Sequence, residues 1–116
     1  MAPRQQLIER FGTRPTAIRL RRVEATGDTA SCVAFHHDYT NALVSLRTMQ
    51  IPLNEPTEYD GGELVWAVED GLEVPSRAAG SATLHSAGVV HGVTAMTRGQ
   101  RYSLFLLELK KSANDN

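Results

Sequence analysis

Apolar and polar positions alternate with a period of two along most of this chain, and clusters of Gly, Pro, Asn and Asp interrupt the alternation. The exception is Pro3 to Phe11. Proline stands near the first turn, Leu7, Ile8 and Phe11 fall on one side of a helix, and Gly12 and Pro15 end it. From Ala17 onward the grammar is strand and turn. Ile18 and Leu20 alternate with Arg19 and Arg21 over Ala17 to Glu24, and A-T-G-D-T then turns the chain. Ser31 to His37 sets Cys32, Ala34 and His36 on one face against Val33, Phe35 and His37 on the other. Further strands are expected over Leu43 to Leu53, Gly62 to Val68, Leu72 to Pro75, Gly80 to His85, Val89 to Met96 and Arg101 to Leu109. About eight short strands separated by turn residues predict an all-β sandwich or barrel, and eight strands in two sheets suit a jelly roll.

Length and composition narrow the reading. The 116 residues make one domain: a short helical segment at 1–16, a β domain at 17–110 and a tail at 111–116. Twelve basic against 13 acidic residues, net charge -1, give no electrostatic footprint for nucleic acid or an anionic membrane. The one basic concentration, Arg19, Arg21 and Arg22, reads as a solvated strand face. A single cysteine, Cys32, excludes an intramolecular disulfide and a cysteine-based zinc cluster. No apolar run approaches a membrane span, and the start of the chain has no apolar signal core, so a cytoplasmic location is expected.

Three residues stand out chemically. A strand places residues i and i+2 on one face, so His36 and Asp38 can aim at one point while His37 turns away. Together with His91 they supply two imidazoles and one carboxylate, a donor set that suits Fe(II) and leaves coordination positions open. Ten residues further on, Arg101 opens the last strand, with Ser103 on the same face. A guanidinium is a planar fork that grips a carboxylate with two hydrogen bonds and stays charged when buried.

These motifs carry a resemblance. His36-His37-Asp38, the hairpin Tyr59-Asp60-Gly61-Gly62-Glu63-Leu64, and His91 followed by Gly99-Gln100-Arg101-Tyr102 come in order across Ile18 to Leu109. The chain resembles the double-stranded β-helix core of the Fe(II)/2-oxoglutarate-dependent oxygenases, closest to the prolyl 4-hydroxylase-like branch. The resemblance implies Fe(II) on His36, Asp38 and His91. It also implies 2-oxoglutarate anchored by Arg101 with help from Ser103, and ascorbate as an accessory. The implied reaction couples decarboxylation of 2-oxoglutarate to succinate with hydroxylation of a C–H bond. Asp38 favours hydroxylation over halogenation, since the related halogenases lack this carboxylate. His85 is read as a packing or cofactor-lining residue, or as a ligand should His91 turn away. His37 is read as structural and Trp66 as core.

Two other readings stay open: a non-oxidative cupin-like metal-binding jelly roll, and a degenerate oxygenase fold acting as an interaction subunit. The substrate is expected to be a small molecule or a peptidyl group, selected by Tyr39 to Asn41 and Glu55 to Tyr59. By the same strand register, Tyr102, Leu104 and Leu106 face outward, where the family places N-terminal helices. Leu7, Ile8 and Phe11 look too few to cover them. A homodimer, or a partner chain over the outer face of the larger sheet, is therefore expected.

Overall fold

The computed structural model describes residues 2–26, 32–38 and 43–111. One helix, α1 (Pro3–Phe11), precedes nine strands. They are β1 (Ala17–Glu24), β2 (Val33–His36), β3 (Leu43–Pro52), β4 (Tyr59–Gly61), β5 (Leu64–Val68), β6 (Gly71–Glu73), β7 (Thr83–Ser86), β8 (His91–Val93) and β9 (Met96–Lys111). A five-stranded sheet has the order β1-β9-β3-β7 with β4 added on β9, and a four-stranded sheet has the order β2-β8-β5-β6. All pairings are antiparallel, and residues of both sheets line one large cavity. This is the expected double-stranded β-helix, with one strand more than the alternation predicts. The additional strand is β4, whose three residues are too short to show a period.

The larger sheet is organised on β9, 16 residues long and paired with β1, β3 and β4. Its register sets Arg101 opposite Val23, Ser103 opposite Arg21 and Phe105 opposite Arg19. The corner that feeds β5 depends on two glycines with positive φ, Gly61 at 76° and Gly62 at 65°. A Cβ on Gly61 would strike the carbonyl of Ala95, so the close approach excludes every other residue there.

The helix forms where the apolar spacing predicts and stops at Gly12, which takes the left-handed conformation with φ 92° and returns its N–H to Ile8 O. It covers more of the outer face than its three apolar residues suggest. Phe11 and Leu106 are both fully buried, packed with Met49 and flanked by Leu7, Ile51 and Leu104. Arg47 fixes the end of the helix: its guanidinium lies 4.5 Å over the Phe11 ring, pairs with Glu108 at 2.8 Å and donates to Thr13. The expectation that Leu106 is left open is therefore corrected. What stays exposed on that face is Tyr102, as expected, and the β1 row, with Ile18 at 57% and Leu20 at 71% of full exposure. Among the described residues no helix is long and apolar enough to cross a membrane. The expected turn around Gly27 and Asp28, the strand start at Ser31, the loop Tyr39 to Asn41 and the tail after Lys111 lie outside the described residues.

Candidate metal and carboxylate site

Within the smaller sheet β2 pairs with β8, and His36 lies directly opposite His91. The pairing of Val33 with Val93 is offset from that of His36 with His91, so a bulge breaks β2 between Val33 and His36. Strict alternation would turn Val33 away from His36; with the extra residue, both line the cavity. His36 ends the strand and Asp38 lies just beyond it, its N–H held by Ala87 O at 3.1 Å. The outcome is the expected convergence. One nitrogen or oxygen from each of His36, Asp38 and His91 lies within 4.8 Å of the others, close enough for a single ion. His37 is exposed and is not one of the three.

The imidazoles are oriented before any ligand arrives. Nδ1 of His36 donates to Ala34 O at 2.8 Å, and Nδ1 of His91 donates to Val89 O at 2.9 Å. With the proton on Nδ1, each Nε2 presents a lone pair toward Asp38 Oδ1, at 3.8 Å from His36 and 3.4 Å from His91. Burial holds the His91 pKa below the ordinary histidine value, outweighing the opposing Val89 carbonyl and Asp38 charge, so the ring is neutral and able to ligate at neutral pH. Asp38 is divided in function. Its Oδ1 faces the two histidines, while Oδ2 accepts from His85 Nε2 at 2.9 Å and from Thr48 Oγ1 at 3.1 Å. Burial raises the Asp38 pKa, but the His85 hydrogen bond, the His91 and His85 charges and the Thr48 bond together bring it below the usual aspartate value.

His85 therefore has a role that its sequence position does not reveal. It is buried, its ring centroid 4.3 Å from that of His91 with the planes tilted by 50°, and it is bonded to the carboxylate oxygen that faces away from the histidine pair. It orients Asp38 and is not a third imidazole in the cluster. We expect His85→Phe, which keeps the ring volume and loses the hydrogen bond, to lower Mn(II) affinity by about 10–100-fold. His85→Gln should recover part of it. Titration calorimetry checks both; unchanged affinity in His85→Phe would mean that Thr48 alone suffices.

The second half of the site is a crevice lined by Gln50, Tyr59, Arg77, Thr83 and Arg101. Arg101 is only 6% exposed and Ser103 only 2%. Three buried polar atoms of the lining residues lack a hydrogen-bond partner, Arg101 Nε, Tyr59 Oη and Thr83 Oγ1, and so does Ser103 Oγ, two residues beyond Arg101 on β9. A buried donor without a partner costs about 1–3 kcal/mol, so several in one place are expected where a ligand completes them. No acidic side chain among the described residues pairs with Arg101. Burial, with Arg77 and Arg21 nearby, lowers its pKa against the influence of Tyr59, yet a guanidinium stays charged. The donor set fits a carboxylate.

Tyr59 and Arg77 were not singled out for this role in the sequence. Tyr59 is buried with its ring 5.0 Å under the Arg77 guanidinium, and Arg77 donates to Gly61 O at 2.8 Å. Tyr59 opens β4 opposite Gly99, close to Arg101 in the chain, a pairing legible only once β4 is known to be a strand.

The class that this fold and these residues define is a jelly roll with a His-Asp-His group next to a buried arginine. No protein-family model matches the chain. It is 50% identical over 54 residues to a PKHD-type hydroxylase from Shewanella frigidimarina, a match that covers 47% of this chain and 24% of that protein. It is 40% identical over 77 residues to a PKHD-type hydroxylase from Hyphomonas neptunium, covering 62% and 33% respectively. The chain thus spans between 24% and 33% of these two curated relatives. A solved 2OG-Fe(II) oxygenase family oxidoreductase from Burkholderia pseudomallei superposes with TM-score 0.68 at 21% identity, over 96% of this chain and 52% of that one. A Pseudomonas putida prolyl-4-hydroxylase gives TM-score 0.62 at 21% identity, over 90% and 59%. The matched stretch of this chain is homologous to PKHD-type hydroxylases, and the fold is that of the 2OG-Fe(II) oxygenase and prolyl 4-hydroxylase structures.

Proposed function

We propose that the chain is the catalytic core of an Fe(II)- and 2-oxoglutarate-dependent dioxygenase that hydroxylates a C–H bond. His36, Asp38 and His91 hold the metal through Nε2, Oδ1 and Nε2. Arg101, with Ser103 and Tyr59, holds the distal carboxylate of the oxo acid. When bound, Fe(II) supplies the redox chemistry that couples O2 reduction and decarboxylation of 2-oxoglutarate to oxygen insertion. The residues do the rest. His85 and Thr48 fix Asp38 so that one oxygen is free to ligate. The Ala34 and Val89 carbonyls fix the imidazole tautomers, and Arg101 sets how deep the oxo acid sits.

The observation that carries this reading is the pairing of a convergent His-Asp-His group with a buried arginine that has no acid partner. A cupin-like site without a cosubstrate leaves that arginine unexplained, and a degenerate interaction domain leaves the oriented imidazoles unexplained. Anaerobic addition of Fe(II) and then 2-oxoglutarate should produce a visible charge-transfer absorption, and admission of air should yield succinate. Fe(II) binding with no response to 2-oxoglutarate would favour the cupin-like reading. Absence of metal binding would favour the interaction subunit.

A further inference from the structure

Both rows of β1 are exposed, and the arginine row is the one that shares a face with Arg101. In a sandwich strand, apolar residues face the interior and charged residues face water. In β1 the outward positions are Ile18 and Leu20, both well exposed, whereas the register puts Arg19 beside Phe105 and Arg21 beside Ser103, on the same face as Arg101. All three arginines are exposed, as the solvated-face reading expects; Arg22 pairs with Glu24 at 3.0 Å, while Arg19 and Arg21 stand on the strand face shared with Arg101. Arg19 and Arg21 line the same cavity of about 1030 Å³ as His36, Asp38 and His91. Neither has an acidic partner among the described residues. Among the described residues, the acids lining that cavity are Glu24, engaged by Arg22, and Asp38. Two exposed cations without an acid partner at the open side of a cavity leave their charge available to a ligand.

We propose that the cavity takes an anionic, otherwise apolar substrate, its acid group on Arg19 and Arg21 and its apolar body across Phe105 and Leu107 toward the His36, Asp38 and His91 group. The proposal deepens the dioxygenase reading and rests on it for the identity of the bound molecule as substrate. Geometry sets the span. Thr48, which bonds Asp38, is on β3; Arg19 is on β1; β9 runs between them with Phe105 and Leu107 on the inner face. Two strand spacings put roughly 10 Å between the anion seat and the metal group. The carbon presented for reaction is therefore several bonds from the acid. Arg101 lines this cavity as well as the tight crevice beside Tyr59, and the seat lies along β9 from it, Arg19 standing opposite Phe105.

The test uses octanoate, octylamine and octanol as probes of equal length and different charge, measured by calorimetry with the Arg101 crevice filled by N-oxalylglycine and Mn(II). We expect octanoate to bind at least tenfold more tightly than either other probe. The double variant Arg19→Gln/Arg21→Gln should lose at least tenfold in octanoate affinity and none in octanol affinity, with an unchanged circular dichroism spectrum. Octylamine binding as tightly as octanoate, octanoate affinity retained in the double variant, or no octanoate binding at millimolar concentration would each overturn the proposal. The same titrations on metal-free Arg101→Met protein separate the two readings. Octanoate binding that persists there, with no response of the wild type to Mn(II) or N-oxalylglycine, would sink the dioxygenase reading and leave the anion seat standing.

Discussion

Replacing Asp38 with alanine should abolish metal binding, lowering Mn(II) affinity by well over the ~100-fold that marks the upper end for an outer partner such as His85. Three interactions disappear together. The Oδ1 donor between His36 and His91 is lost, as is the acceptor for His85 Nε2 at 2.9 Å and for Thr48 Oγ1 at 3.1 Å. His85 is then left buried with neither ring nitrogen satisfied, since its Nδ1 already lacks a partner. Metal-free Asp38→Ala is therefore expected to melt at a lower temperature than the wild type as well. His36→Ala and His91→Ala should also lose the metal, whereas His37→Ala should keep it. Calorimetric titration with Mn(II) reads all four variants. Loss of the metal in His37→Ala, with retention in His36→Ala, would mean that the β2 bulge lies on the other side of His36.

Arg101 is expected to separate stability from function. It is a buried cation without an acid partner, and exchanging a buried charge for a well-packed apolar side chain is often neutral or stabilising by about 1–4 kcal/mol. Arg101→Met should therefore melt at or above the wild-type temperature when no ligand is present. Oxo-acid binding should suffer in the opposite sense. Truncating one side of a buried, hydrogen-bonded charge pair costs about 2–5 kcal/mol, a tenfold loss at the least. Ligand linkage makes the contrast measurable in one instrument. N-oxalylglycine at about 100 times its Kd should stabilise the wild type by about 2.7 kcal/mol and leave Arg101→Met unmoved, with Mn(II) affinity equal in both. Arg101→Lys should recover part of the binding, because an ammonium offers a point charge and no fork. Equal stabilisation of wild type and Arg101→Met would remove Arg101 from the carboxylate site.

What the sequence discloses here follows the range of the physical signal. The helix and β1 are set by local periodicity and by Gly12, and the structure has them at the expected residues. The grouping of His36, Asp38 and His91 and the inward position of Arg101 are legible because each depends on a short motif or on strand parity near its own position. The bulge in β2 is not legible, since it arises from pairing with β8 and Gly92, where a Cβ would press against Val33 O. Tyr59 and His85 are also missed. Their roles come from neighbours distant in sequence, Arg101 for one and Asp38 for the other, and nothing local distinguishes a tyrosine or histidine that packs from one that binds. That the exposed Arg19 and Arg21 stand on the cavity side escapes for a related reason. Alternation shows that Ile18 and Leu20 oppose the arginines, and only the tertiary fold decides which set faces the cavity.

The two halves of the site are built on parts of the molecule that should open at different free energies. Arg101 and Ser103 sit on β9, flanked by β1 on one side and reached by β3 on the other, with Leu106 beneath the helix. His36 sits on β2, four residues at the rim of the smaller sheet, paired only with β8 and next to a half-exposed Phe35. Amide exchange should accordingly be slowest along β9 and fast along β2, because strands with few buried contacts open without global unfolding. In the free protein Arg101 is then held in place throughout, while the His36 corner of the His-Asp-His group comes and goes with local excursions of a single short strand. Mild denaturant should release a bound ion before the sheet that carries Arg101 begins to melt.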